Sequence, residues 1–216
     1  MTPATDSPVR DLLSRSFLAV AGFFALVMAS AAMSSRLLPG VPRNDATHVL
    51  AVVMLLAGAA LAAKASPAAR DFIGLQWRLA IGSRRVLGLA VLAGLAFYVL
   101  AFTLGGTDPA RIRGWHVDLR FVVSFLLLSA LLQSLVEESF FRAIAIGRAR
   151  GGPALASAAL SGAAFAAIHP DRWLSVFVFS LVAAAFYLRA GLFGAHAFHA
   201  SYNLANYAAL AWFSAR

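Results

Sequence analysis

Apolar runs of bilayer-crossing length recur along this chain, with only short polar joins between them. A helix needs about 20 apolar residues to span the hydrocarbon, and such runs are read at 16–34, 47–65, 86–105, 119–147, 153–169, 173–189 and 192–213. The chain has 216 residues, of which 61% are hydrophobic and 12% charged, against roughly 45–50% apolar residues in an average soluble domain. The expectation is an all-α fold, a polytopic transmembrane helix bundle of about seven spans, forming one integral membrane domain.

The fifth and sixth runs are short and are separated only by Pro170-Asp171-Arg172, the pattern of a tight helical hairpin. Residues 66–85 are more polar, and Phe72, Ile73, Leu75, Trp77, Leu79 and Ile81 do not fall on one helical face, so this segment reads as an interfacial connector. With seven spans, the N-terminal side would carry Arg10, Arg15, Lys64, Arg70, Arg78, Arg84, Arg85, Arg148, Arg150 and Arg189. The opposite side would carry Arg36, Arg43, Arg111, Arg113, Arg120, Arg172 and Arg216. That asymmetry favours a cytoplasmic N-terminus by the positive-inside rule. Arg10 and Arg15 before an apolar run that reaches Ala29-Ser30-Ala31 have the layout of a secretory signal. Apolar character continues through Ala32-Met33, so a retained anchor is expected.

The net charge of +9 raises nucleic acid as a partner. The arginines instead stand singly or in pairs beside apolar runs, without a basic stripe interleaved with aromatics, and read as topology determinants. No nucleic-acid partner is expected; the bilayer is. The absence of cysteine excludes disulfides, thiolate metal sites and a cysteine nucleophile. One lysine among many arginines, with abundant Ala and Gly, points to a GC-rich bacterial genome and a bacterial cytoplasmic (inner) membrane location.

Against this apolar background, Leu135-Val136-Glu137-Glu138-Ser139-Phe140-Phe141-Arg142 stands out. A charged residue at mid-helix costs about 2.5–3.5 kcal/mol on the insertion scale, so three such groups need compensation. Glu138 and Arg142 are spaced i, i+4 with the acid first and can pair on one face. Glu137 lies about 100° around the helix from Glu138, with no such partner. The plain alternative is that the cluster marks the end of a span, where charge is cheap; Ala143-Ile144-Ala145-Ile146 continues apolar beyond it.

Two other runs carry polar groups. His169 ends Phe165-Ala166-Ala167-Ile168-His169 and on its own reads as a helix-end residue. In Gly194-Ala195-His196-Ala197-Phe198-His199-Ala200-Ser201-Tyr202-Asn203, His199 and Asn203 share a face, with His196 one turn before and Asn206 one turn after. Interhelical hydrogen bonding is the bland account of that stripe. At about 1.5 Å per residue, Glu137 lies about 15 Å from the helix end near 147, His169 about 24 Å from Pro153 and His199 about 12 Å from Gly191. Within the blur of helix tilt, the three sites can meet in one cavity.

These residues resemble a family. The pattern E-E-x-x-x-R, then F-x-x-x-H, then H-x-x-x-N on successive membrane helices is similar to that of the CPBP (CAAX protease and bacteriocin-processing) intramembrane peptidases, which include the type II CAAX prenyl endopeptidases. Here the motifs read Glu137 to Arg142, Phe165 to His169 and His199 to Asn203, complete and in order. The resemblance covers roughly 119–210. It implies a catalytic core over 119–213, with residues 1–118 supplying N-terminal spans and the connector. It further implies a glutamate-dependent endopeptidase acting on a membrane-associated peptide or protein, without a cofactor or metal. Glu137 would be the general base, His169 would hold and activate water, and His199 and Asn203 would form the oxyanion site. Glu138 and Arg142 would support them. His196 lies outside the family pattern and is a supporting candidate or a packing histidine.

Three other readings compete. A metal-dependent peptidase could draw ligands from Glu137, His169, His196 and His199, but there is no H-E-x-x-H, and Asn203 is a poorer zinc ligand than hydrogen-bond donor. Intramembrane Glu, His and Arg also mark transporters and proton relays, although the runs show no inverted repeat. A catalytically silent binding or immunity protein is the third.

Overall fold

The computed structural model describes residues 8–105 and 118–214, and among them every regular element is helical. Helix α1 is Pro8–Leu37, α2 Arg43–Ala65, α3 Pro67–Gly82 and α4 Arg84–Gly105. Residues 119–144 form α5, Gly151–Ala167 form α6, and a 3₁₀ turn at Pro170–Arg172 leads into the run Trp173–Ser214. Arg111, Arg113 and Arg216, three of the expected topology determinants, lie outside the described residues.

The last run looks like one helix of 42 residues but is broken at Gly191, where φ is 69° and ψ −161°. On an uninterrupted helix, positions 179 and 198 would stand about 28 Å apart at 1.5 Å per residue. Their phenyl rings are instead 4.8 Å apart, and Phe186 stacks on Phe198 at 5.6 Å. The chain folds back at Gly191 into two packed helices, here α7 (173–190) and α8 (192–214). Only glycine takes this backbone easily, and a Cβ there would also meet Gln76 Oε1 at 2.6 Å.

The expected connector is a regular helix. Ser66 accepts a hydrogen bond from the Ala69 N–H, Pro67 occupies the first turn, and Gln76 and Ala80 are buried while Trp77 and Ile81 are exposed. Its apolar positions look scattered because both faces carry them, one toward the bundle and one outward.

Among the described residues, five helical stretches are long and apolar enough to cross a membrane: Leu12–Leu37, Arg43–Ala65, Arg84–Leu104, Val122–Ile144 and the folded-back Pro170–Phe213. Helix α6 is a shorter apolar helix. Large apolar side chains such as Phe17, Leu61, Leu104 and Trp212 are exposed on the outside, as a lipid-facing surface requires and a soluble monomer avoids. The chain is a polytopic helical bundle of an integral membrane protein.

Helix α4 packs closely on α8 at Gly94. A Cβ there would run into Ser201 Oγ and the Phe198 carbonyl, so the absent side chain lets two backbones approach, as small residues do between membrane helices. Gly94→Ala should therefore lower thermal stability in detergent by about 1–3 kcal/mol, the usual cost of overpacking, and displace the helix beside His199. A Cβ at Gly88 of the same helix would meet nothing within 4 Å, so Gly88→Ala should leave the melting temperature unchanged or raised. Equal melting of the two variants would refute the close-approach argument.

Candidate active site

Helix α5 is not uniformly α-helical. Val122–Gln133 and Ser139–Ile144 are bonded i→i+5, flanking an α-helical turn at Ser134–Glu138. Such wide turns are common at functional sites, and they alter which residues face inward relative to a regular 100° step. Near the end of α5 the Ala145 and Ile146 N–H groups go to Phe140 and Arg142. The carbonyl of Phe141 is left over and is taken by Ser161 Oγ of α6.

Both carboxylates of this helix are buried, Glu137 at 6% and Glu138 at 0% exposure. A single imidazole reaches both: His199 Nδ1 is 2.8 Å from Glu138 Oε1, and His199 Nε2 is 3.6 Å from Glu137 Oε2. Arg142 Nε stands 3.2 Å from Glu138 Oε2. Their alignment misses that of a hydrogen bond, so charge and proximity hold the pair, and Arg142 Nη1 and Nη2 have no hydrogen-bond partner among the described residues. The fully buried guanidinium lies over the Phe165 ring at 5.4 Å, a favourable cation–π placement. Phe165 and Phe179 also stand edge-on to His199, at 6.1 and 4.9 Å.

Charge spacing alone gives Glu137 no local partner, and the structure corrects this. Gln133 Nε2, one turn earlier, donates to Glu137 Oε1 at 2.8 Å. The partner is a neutral amide at i−4, which a pattern built on charges does not include. Glu137 Oε2 is left toward the cavity side, facing His199.

His169 is exposed at the protein surface. Its Nδ1 lies 2.9 Å from the Phe165 carbonyl; a carbonyl can only accept, so Nδ1 carries a proton, and in the neutral ring Nε2 presents a lone pair. His196 is turned elsewhere, with Nδ1 at 3.1 Å from Ser134 Oγ, a hydroxyl that also lies 2.7 Å from the Ala130 carbonyl. It ties α8 to α5.

One cavity of about 220 Å³ is lined by Glu137, His169, His199 and Asn203, together with Gln133 and Tyr207. Four candidates from three separate runs therefore share one space, while Glu138 and Arg142 lie behind the wall and His196 beside it. Asn206 also lines the cavity, as does Arg172 of the 3₁₀ turn, whose place in the sequence suggests only a topology determinant. No group of three or more His, Asp or Glu residues among those described is arranged to hold a metal ion.

Fold and site together define a polytopic membrane protein with a buried acid–imidazole cluster on a cavity that reaches the surface at His169. Residues 119–205, less than half of the chain, match the family model for Rce1-like type II CAAX prenyl endopeptidases, so this segment is similar to that family. Comparison with curated proteins and with solved structures gives no match.

Proposed function

We propose that this chain is an intramembrane endopeptidase that hydrolyses a peptide bond of a membrane-associated protein or peptide, using water activated by Glu137. The observation that carries this reading is the placement of one imidazole between two buried carboxylates at the wall of a cavity that also receives His169 and Asn203. Residues 119–213 form the catalytic unit, residues 1–118 its scaffold, and the bacterial cytoplasmic membrane its location.

Each group has a distinct task. Gln133 holds one oxygen of Glu137, leaving Oε2 to take a proton from water. The lone pair at His169 Nε2 accepts the water's other hydrogen and orients it. The water oxygen attacks the peptide carbonyl carbon, and the carbonyl π electrons move onto the carbonyl oxygen. Glu138 can only accept, so His199 Nδ1 donates to it. In its imidazolium form His199 donates from Nε2, beside the Asn203 amide, to the oxyanion. Collapse breaks the C–N bond, and the proton held by Glu137 passes to the leaving nitrogen, giving an amine and a carboxylic acid that then loses its proton to water.

His199→Ala and Asn203→Ala should each slow cleavage of a membrane-anchored precursor in detergent by about 10²–10³-fold, the cost of an oxyanion donor, with the bundle still folded. Undiminished cleavage by both variants would remove the oxyanion assignment. Loss of wild-type cleavage on exhaustive chelation, with recovery on adding zinc, would replace the whole reading by a metal mechanism.

A further inference from the structure

Helix α8 carries His196, His199 and Asn203, yet it starts at a broken backbone. The first N–H groups of any helix lack an acceptor within it, and inside a bundle such a group is costly unless satisfied. At α8 the Leu192 N–H donates to Gln76 Oε1 at 2.7 Å. Gln76 is 6% exposed and belongs to α3, outside both the cavity and the segment matched to the family. Its neighbour Trp77 packs on Phe193 at 4.5 Å between ring centroids.

The position of this bond matters more than its energy. At about 100° per residue, Leu192, His199 and Asn203 fall within about 20° of one stripe, so a tether on the Leu192 N–H fixes the rotation and height of the stripe that faces the cavity. The same end of the bundle is tied from the other side of the break. Ser83 Oγ donates to the Arg189 carbonyl at 3.4 Å, and Tyr187 Oη donates to the Gly147 carbonyl at 2.8 Å, just past the end of α5. The Gln76 amide stands beside that hydroxyl. The ends of α5 and α7 and the start of α8 thus meet around one buried amide from α3.

We infer that Gln76 is a positioning residue for the reaction: a helix cap supplied from α3, which sets α8 so that His199 sits between Glu137 and Glu138. The kinetic half of this inference rests on the peptidase reading, and its geometric half does not.

The test uses the full chain in detergent with ¹⁵N-labelled histidine, comparing wild type, Gln76→Ala and Gln76→Glu, the last of which retains an acceptor oxygen. Gln76→Ala should move the His199 imidazole signals and leave that of His48, on α2, in place. It should lower kcat by about 10²-fold, the cost of a misplacement on the order of 1 Å, with KM changed less than about twofold because binding groups are untouched. Gln76→Glu should keep the wild-type His199 signals and most of the turnover. A folded Gln76→Ala protein with unmoved His199 signals would overturn the proposal, as would displaced signals in Gln76→Glu. If Gln76→Ala yields no folded protein, Gln76→Glu decides alone. If wild type cleaves nothing, the spectra still judge the cap, and the peptidase reading fails separately.

Discussion

Glu137→Gln is expected to fold as wild type does and to lose hydrolysis by about 10²–10⁴-fold, the contribution of a positioned acid–base group. The amide keeps the size of the side chain and can stay in contact with Gln133, which now holds Oε1 at 2.8 Å. It cannot take a proton from water. A merely structural Glu137 predicts another pattern, in which the substitution changes melting and turnover together. Cleavage of a membrane-anchored precursor by purified Glu137→Gln, measured beside its thermal melting, separates the two. Activity near wild type in the variant would end the glutamate mechanism.

The second large effect concerns stability. Arg142 and Glu138 are both 0% exposed and 3.2 Å apart, and removing one partner of a buried pair typically costs about 3–5 kcal/mol because the other charge is left uncompensated. Arg142→Ala also takes away the cation above Phe165 and leaves Glu138 to hold the His199 Nδ1 proton alone. The variant should give a much lower folded yield and a lower melting temperature, with activity falling in parallel. Arg142→Met combined with Glu138→Gln should recover part of the lost stability, since the two changes share one interaction and are non-additive. Full thermal stability with loss of turnover alone would instead place Arg142 among the catalytic groups.

What is legible in the sequence is local. The apolar runs locate the helices, the i, i+4 spacing pairs Glu138 with Arg142, and depth counting allows Glu137 and His199 to meet. The same counting puts His169 farthest along its helix, and it lies exposed while Glu137 is buried. Other features depend on partners remote in sequence or on backbone detail. Wide turns in α5 leave no signature in an apolar run, and the acceptor for Leu192 comes from Gln76, in a segment that reads only as a connector. Gln133 is within reach of a pattern search, one turn before Glu137, but a neutral amide in a membrane span draws less notice than a charge.

The chain of contacts from Arg142 through Glu138 and His199 to Glu137 has a consequence for the membrane's electrical state. With His199 as imidazolium, two positive and two negative groups sum to zero, and the unit presents a dipole to the transmembrane field. A relay that carried one elementary charge across would feel about 2.3 kcal/mol per 100 mV. A fixed neutral cluster does no such work, and proton exchange between Glu137 and water inside the cavity moves charge only over a bond length. On the proposed peptidase reading, with His199 as imidazolium, hydrolysis at this site is uncoupled from membrane voltage, and cleavage in vesicles should run at the same rate with or without a membrane potential.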